Sequence, residues 1–250
     1  MVHLVLIRHG ESDANAAGLL AGRTPGVALT EAGRAQIRSL AGILPFATIT
    51  ALRHSPLMRC VQTTEELLGI ITVGQTREDP GLAEVDYGQW SGQPLTSLKE
   101  HPEWARVAES PSTMVFPGGE SLQAAASRGI AAAEALVAEL RQRTVASGED
   151  EKTQEDSVGI IVSHGDIIKA ILADALGSPL DRFQRIAVAP GSFSVISYPA
   201  TGHPVVARQA VAPPRPPPPP PPPPAGGGAA PPRVGGAAGQ GSGGPVRSRR

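Results

Sequence analysis

Four polar or small residues stand directly after the first apolar run of this chain. Val2, Leu4, Val5, Leu6 and Ile7 lead into Arg8, His9, Gly10 and Glu11. A neutral imidazole can attack phosphorus, a guanidinium can hold phosphate oxygens in a planar fork, and a glycine lets backbone and ligand approach closely. A second apolar run, Val158 to Val162, ends in Ser163, His164, Gly165 and Asp166, so a second His-Gly pair is delivered to a strand end. Arg59 falls early in a helix, near the end whose dipole favours anions. Glu84 stands in a loop with Tyr87 and Trp90, where apolar shielding raises a carboxyl pKa and lets the group act as a general acid. Asn15 and the backbone amides around it could add donors, and Arg23 is either substrate-facing or solvated. Taken singly, each also has a plainer account: the polar end of a strand, a surface arginine, a solvated acidic loop.

The elements that must position these groups follow from periodicity and breakers. The first and fourth strands have the length and composition of parallel strands buried on both faces, and open α/β sheets place ligands at the carboxyl ends of such strands. Ser12 or Asp13 caps a short helix, and Thr30 caps a helix whose apolar positions recur down to Leu44 before Pro45. A strand over Thr48 to Arg53 leads to a helix with Ser55 at the cap and Pro56 in its first turn. An extended segment covers Val73 to Glu78, and Leu95 to Val107 reads as a helix interrupted by Pro102. A long alanine-rich helix covers about Glu120 to Arg143, Thr144 to Ser157 is a polar connector, and Ile167 to Leu176 is helical. Strands at Phe193 to Tyr198 and Val205 to Arg208 close the fold. Cys60 reads as a small core residue, with nothing to suggest a catalytic thiol.

Composition bounds the remaining choices. Of the 250 residues, those from Ala212 on are dominated by Pro, Gly and Ala, with an unbroken proline run from Pro216 to Pro224. Such a segment cannot bury an apolar face, so the expected organisation is a domain over residues 1–208 and a disordered basic tail over 209–250 that could dock a protein through polyproline II. The tail holds five arginines and no acid, which leaves the body near −6 and gives no reason to expect nucleic acid. A lone cysteine excludes a disulfide framework, and no apolar stretch approaches the roughly 20 residues of a membrane span. The amino terminus lacks a signal-like basic and apolar pair of regions, so the expected address is cytoplasmic. An exposed edge strand or helix could make a homodimer.

Five motifs occur in a telling order: Leu6-Ile7-Arg8-His9-Gly10-Glu11; Ser55-Pro56-Leu57-Met58-Arg59-Cys60-Val61-Gln62-Thr63; Leu82 through Gly92 with Glu84 and Tyr87-Gly88; Gly118-Gly119-Glu120-Ser121; and Val162-Ser163-His164-Gly165. In them the chain resembles the histidine phosphatase superfamily, the phosphoglycerate-mutase-like fold, across about residues 2 to 200, and is similar to an actinobacterial group of phosphomutases and phosphatases. The resemblance implies a three-layer α/β/α domain with a mostly parallel central sheet and a small phosphorylated substrate. It implies that His9 becomes phosphohistidine, that Arg8, Arg59 and His164 form the phosphate pocket with Asn15 and amides near Gly10 and Gly165, and that Glu84 protonates the leaving oxygen. No metal or cofactor enters the family mechanism. His164 is expected to serve as a cationic or hydrogen-bonding clamp. Mutases of the family hold a second phosphate with a basic insertion after the Tyr-Gly motif, whereas Leu95 to Phe116 here offers only Lys99 and Arg106. The expected activity is therefore a phosphatase. The alternatives are a phosphomutase, with Arg23, Lys99 or Arg106 on the distal phosphate, and a non-catalytic phospho-ligand binder.

Overall fold

The β1 strand, Val2–Arg8, is central because every residue but His3 and Arg8 is buried, and its side chains serve two cores at once. Leu4 and Leu6 point to one face of the sheet, Val5 and Ile7 to the other. A computed structural model describes residues 1–146 and 156–213, with side chains given to Arg143 in the long helix. Its six-stranded sheet has the order β3-β2-β4-β1-β5-β6, with β2 at Thr48–His54, β3 at Thr72–Glu78, β4 at Ser157–Ser163, β5 at Phe193–Tyr198 and β6 at Val205–Val211. The first four strands run parallel, and β5 is antiparallel to both β1 and β6. β6 thus runs three residues beyond the expected domain end at 208.

Helices cover both faces. α2 (Glu31–Arg38) and α3 (Met58–Leu68) bring Ile37, Cys60 and Leu67 onto Val5, Ile7 and Val162. α6 (Leu122–Ala146) and α7 (Gly165–Ala175) bring Leu136, Leu140, Ile168 and Leu172 onto Leu4, Leu6 and Ile161. This is the expected three-layer arrangement. Ser12 caps α1 (Asp13–Ala16) in a reciprocal box with Asn15, and Thr30 caps α2 by accepting from the Gly33 amide at 3.0 Å. The apolar repeat down to Leu44 is only partly α-helical, since α2 gives way to a 3-10 turn at Ser39–Gly42. Pro102 does separate two helices, α4 (Leu95–Lys99) and α5 (Trp104–Glu109). Residues 147–155 of the expected connector and 214–250 of the expected tail lie outside the described residues. No helix among the described residues is long and apolar enough to cross a membrane.

One close approach fixes the loop after β1. Gly33, inside α2, lies so near this loop that a Cβ there would stand 2.1 Å from the Glu11 carbonyl oxygen, and one on Gly10 would stand 2.5 Å from the Gly33 carbonyl. Helix propensity alone would make Gly33→Ala stabilising by about 1 kcal/mol. Because backbone must shift instead, we expect a loss of about 2–3 kcal/mol and a melting temperature lower by roughly 5–10 °C, read by calorimetry. An unchanged or higher melting point would show that the two backbones have room to part.

Candidate active site

The ends of β1, β2 and β4 lie side by side, since Arg8 is level with Ser163 and His54 with Val162. The ladder continues past the strands through His9 N to Ser163 O and Ser55 N to Val162 O, both 3.0 Å. His9, Ser55 and His164 therefore emerge together although 155 positions separate the first from the last.

The His9 tautomer is set by its neighbours. Nδ1 lies 2.7 Å from the Gly10 carbonyl oxygen, which can only accept, so Nδ1 carries the proton and Nε2 the lone pair. Arg59 donates from Nε to that Nε2 at 3.2 Å and from Nη2 to Gly22 O at 2.8 Å. Burial, then the charges of Arg59 and Arg8, hold the His9 pKa well below the usual 6.5. The ring is therefore neutral and nucleophilic at physiological pH. Thr63 on α3 ties the assembly together, accepting from Gly10 N at 3.2 Å and donating to Arg59 O at 2.7 Å.

Arg8 donates from Nη1 to Val188 O at 2.6 Å, while its buried Nε–H has no protein partner. An unpaired buried donor is costly, so this one suits an acceptor that arrives with a ligand. Asn15 accepts on Oδ1 from Ser12 N at 3.2 Å and Ser12 Oγ at 3.0 Å, which leaves its amide N–H₂ as the free end.

Glu84 is buried opposite these cations, 8% exposed. Burial and the nearby Asp166 raise its pKa to about 7, against the pull of Arg59 and Arg8. Its loop is held rigidly: Arg128 donates to Gly81 O at 2.8 Å, Ala83 O at 2.5 Å and Glu84 O at 3.0 Å, and pairs with Glu120. Arg23 donates to the same Glu84 carbonyl at 2.9 Å and pairs with Glu120 at 2.8 Å. Nothing in the sequence singled out Arg128, because the carbonyls it holds are over forty residues away.

Arg8, His9, Asn15, Arg59, Glu84 and Gly165 all line one cavity of about 420 Å³. Arg23 and His164 do not. Arg23 is turned to the Glu84 loop. His164 is fully buried behind His9, their ring centroids 5.2 Å apart, with Nε2 2.7 Å from Ser55 Oγ and 3.4 Å from Cys60 Sγ. Burial, Arg59 and His9 hold its pKa well below 6.5, so of the two expected forms, cationic or hydrogen-bonding, the ligand-free pocket holds the neutral hydrogen-bonding ring. Ser55 is not the N-cap of α3, which begins after Leu57; its hydroxyl accepts from Leu57 N at 3.3 Å and meets His164. Cys60 is a core thiol whose pKa burial pushes up to about 12. Asp166, at the start of α7, accepts from Tyr87 OH at 2.8 Å and pairs with Lys169 at 3.1 Å, a network visible only once β4 is folded beside the Glu84 loop. Among the described residues no group of three or more His, Cys, Asp or Glu side chains is placed to hold a metal ion.

Known proteins share the sequence and the fold of this chain. The model of the histidine phosphatase superfamily (branch 1) matches residues 4–210. Phosphoserine phosphatase 1 of Hydrogenobacter thermophilus is 30% identical over 198 residues, 78% of this chain and 86% of its own. A probable phosphoglycerate mutase of Proteus mirabilis is 28% identical over 201 residues, 79% of this chain and 86% of its own. The solved structure of mycobacterial hydrolase 1 superposes with a TM-score of 0.69 at 25% identity, covering 85% of this chain and all of that one. With the matched span covering most of the chain, and the buried histidine, two arginines and carboxyl gathered at the ends of its parallel strands, this chain belongs to the histidine phosphatase superfamily.

Proposed function

We propose that this protein hydrolyses phosphomonoesters by way of a phosphohistidine on His9 Nε2. The observation that carries the reading is the locked His9 tautomer, whose lone pair faces Arg59, with the Arg8 guanidinium and a protonatable carboxyl lining the same cavity. In the first step Nε2 forms a bond to phosphorus as the bond to the ester oxygen breaks, and Glu84 gives that oxygen its proton, releasing an alcohol. Arg59, the free Nε–H of Arg8 and the Asn15 amide take up charge on the three equatorial oxygens. In the second step Glu84, now a carboxylate, removes a proton from water as its oxygen attacks phosphorus. The P–N bond breaks and inorganic phosphate leaves. Ser55, through His164, holds the His9 ring from behind.

Transfer back to the substrate, the phosphomutase reading, needs cations for a second anion. Of the cations that line the cavity, Arg8 and Arg59 belong to the phosphate end and Lys169 is paired with Asp166, which leaves only the exposed Lys99. Arg23 and Arg106, the other candidates, pair with Glu120 and Glu103. That shortage favours water as the acceptor. The test is phosphate release from a panel of phosphomonoesters in excess EDTA, with alkaline quenching to trap the acid-labile enzyme phosphate. We expect release that ignores the chelator and one labelled histidine per chain. Product appearing only as an isomer, with a bisphosphate primer required, would establish the mutase instead.

A further inference from the structure

The cavity has two ends of opposite character. Its floor holds Arg8, His9, Asn15, Arg59 and Glu84. The rest of the lining is mostly apolar, with Leu19, Leu20, Leu95, Trp104, Val107 and Phe116 beside the polar Lys99, Asp166, Lys169 and Gln184. Leu19, Leu20, Leu95 and Trp104 stay only half-buried, although Leu20 and Trp104 pack against the main core. A phosphate is a few waters in size, at about 30 Å³ of liquid per water, so most of the 420 Å³ is left for the rest of the ester.

The polar groups of that outer wall are largely spoken for. Lys169 binds Asp166 at 3.1 Å and Gln184 at 2.9 Å, and Asp166 also takes the Tyr87 hydroxyl. Lys99, exposed at the end of α4, is the one outer-wall cation without an acidic partner among the described residues. A sugar or an amino acid would bring hydroxyls or an ammonium against leucines and a tryptophan that offer them no partner, and Lys99 alone is left to meet a carboxylate. An apolar group would fill the same wall and gain by leaving water.

We infer that the leaving group this cavity accepts is apolar: the substrates are phosphomonoesters of medium-chain or aromatic alcohols, whose hydrocarbon part sits between the Leu19–Leu20 loop and the α4–α5 segment. This inference rests on the phosphomonoesterase reading for its chemistry, but the apolar subsite can be tested without turnover.

Two series separate the questions. In the first, n-alkylphosphonates from methyl to hexyl, which cannot be hydrolysed, are titrated into the whole protein by calorimetry. Affinity should rise about three- to fourfold per buried methylene, and at least about 30-fold across the series. A flat series, within twofold from methyl to hexyl, would overturn the inference. In the second, kcat/KM is measured for the matching n-alkyl phosphates, whose leaving alcohols are chemically alike, beside 3-phosphoglycerate, O-phosphoserine and a hexose phosphate. Hexyl phosphate should exceed all three polar esters. Preference for any of them would also overturn it. Rising phosphonate affinity with no phosphate release from any ester would uphold the apolar subsite and count against the phosphatase reading alone.

Trp104→Ala and, separately, Leu95→Ser should each cut the hexyl-to-methyl affinity ratio by about fivefold or more, the loss expected when several buried methylenes lose their wall. Because that ratio is read within one preparation, misfolded protein cancels from it. A ratio unchanged in both variants would place the apolar subsite elsewhere and sink the assignment.

Discussion

His9→Ala is expected to lower kcat by roughly 10³-fold or more, because removal of a covalent nucleophile leaves only binding and electrostatic assistance to water. The geometry makes the expectation specific to one atom. Nδ1 is occupied by the Gly10 carbonyl, and Nε2 faces Arg59. The alkali-stable phosphoenzyme trapped from wild type should be absent from the variant. Folding should survive, since the change strips Gly10 O and Arg59 Nε of one partner each, a cost of about 1–3 kcal/mol that shifts the melting temperature by a few degrees. Near-ultraviolet circular dichroism and calorimetry check that. Retention of more than about a tenth of wild-type turnover in a folded variant would mean that another group attacks phosphorus.

The second large effect belongs to Glu84. Glu84→Gln keeps the shape and a hydrogen-bonding group but cannot deliver a proton, and should cost about 10²- to 10⁴-fold on alkyl phosphates. Aryl phosphates, whose alcohols leave without help, should lose far less in the step that forms phosphohistidine. Equal losses on both classes would mean that Glu84 organises its loop and transfers no proton. The pH profile adds an independent readout. Burial and Asp166 raise the Glu84 pKa to about 7, while His9 titrates well below 6.5, so both groups are in their working forms between those limits. With alkyl esters kcat/KM should fall as pH rises through about 7, and that limb should vanish in Glu84→Gln. Stability follows the same sign. A carboxyl whose folded pKa lies above its ordinary 4.5 contributes most below 4.5, and its contribution is lost as pH rises through about 7.

Much of this architecture could be read from local pattern. The two apolar runs ending in Arg8-His9-Gly10 and Ser163-His164-Gly165 are β1 and β4, and their burial on both faces is what an unbroken branched-apolar run means in a parallel sheet. The Ser12 and Thr30 caps were legible because capping is decided within four residues. The Ser55 cap failed for an instructive reason. Its sequence context, Ser-Pro before a helical run, is a sound local signal, and the hydroxyl does accept from Leu57 N at 3.3 Å, but the helix opens only after Leu57, and the β2–β4 pairing sets His164 Nε2 2.7 Å from the same oxygen. Arg23 and His164 illustrate the same limit, since a basic residue in a loop or at a strand end does not announce which way it turns. Lacking that, the sequence could not tell a substrate arginine from one that grips the Glu84 carbonyl.

What the amino-acid sequence by itself determined was the inventory: a doubly buried parallel core, a histidine with an arginine at its first strand end, a second histidine at another, and a carboxyl in a shielded loop. These depend on residue type and on spacings of a few positions, and the chain carries both along its length. The tertiary structure decided everything that needed two distant segments at once. It left the His9 lone pair on Nε2 and kept His164 neutral behind it. It set the proton affinity of Glu84 through Asp166, and it fixed the Glu84 loop with Arg128. It also turned Leu95 to Phe116, notable in sequence for its few basic residues, into a largely apolar wall of the cavity. The physical reason is common to all of these. Desolvation, field and hydrogen-bond partnership are properties of an atom's surroundings within a few ångströms, and those surroundings exist only after residues far apart in the chain have packed together.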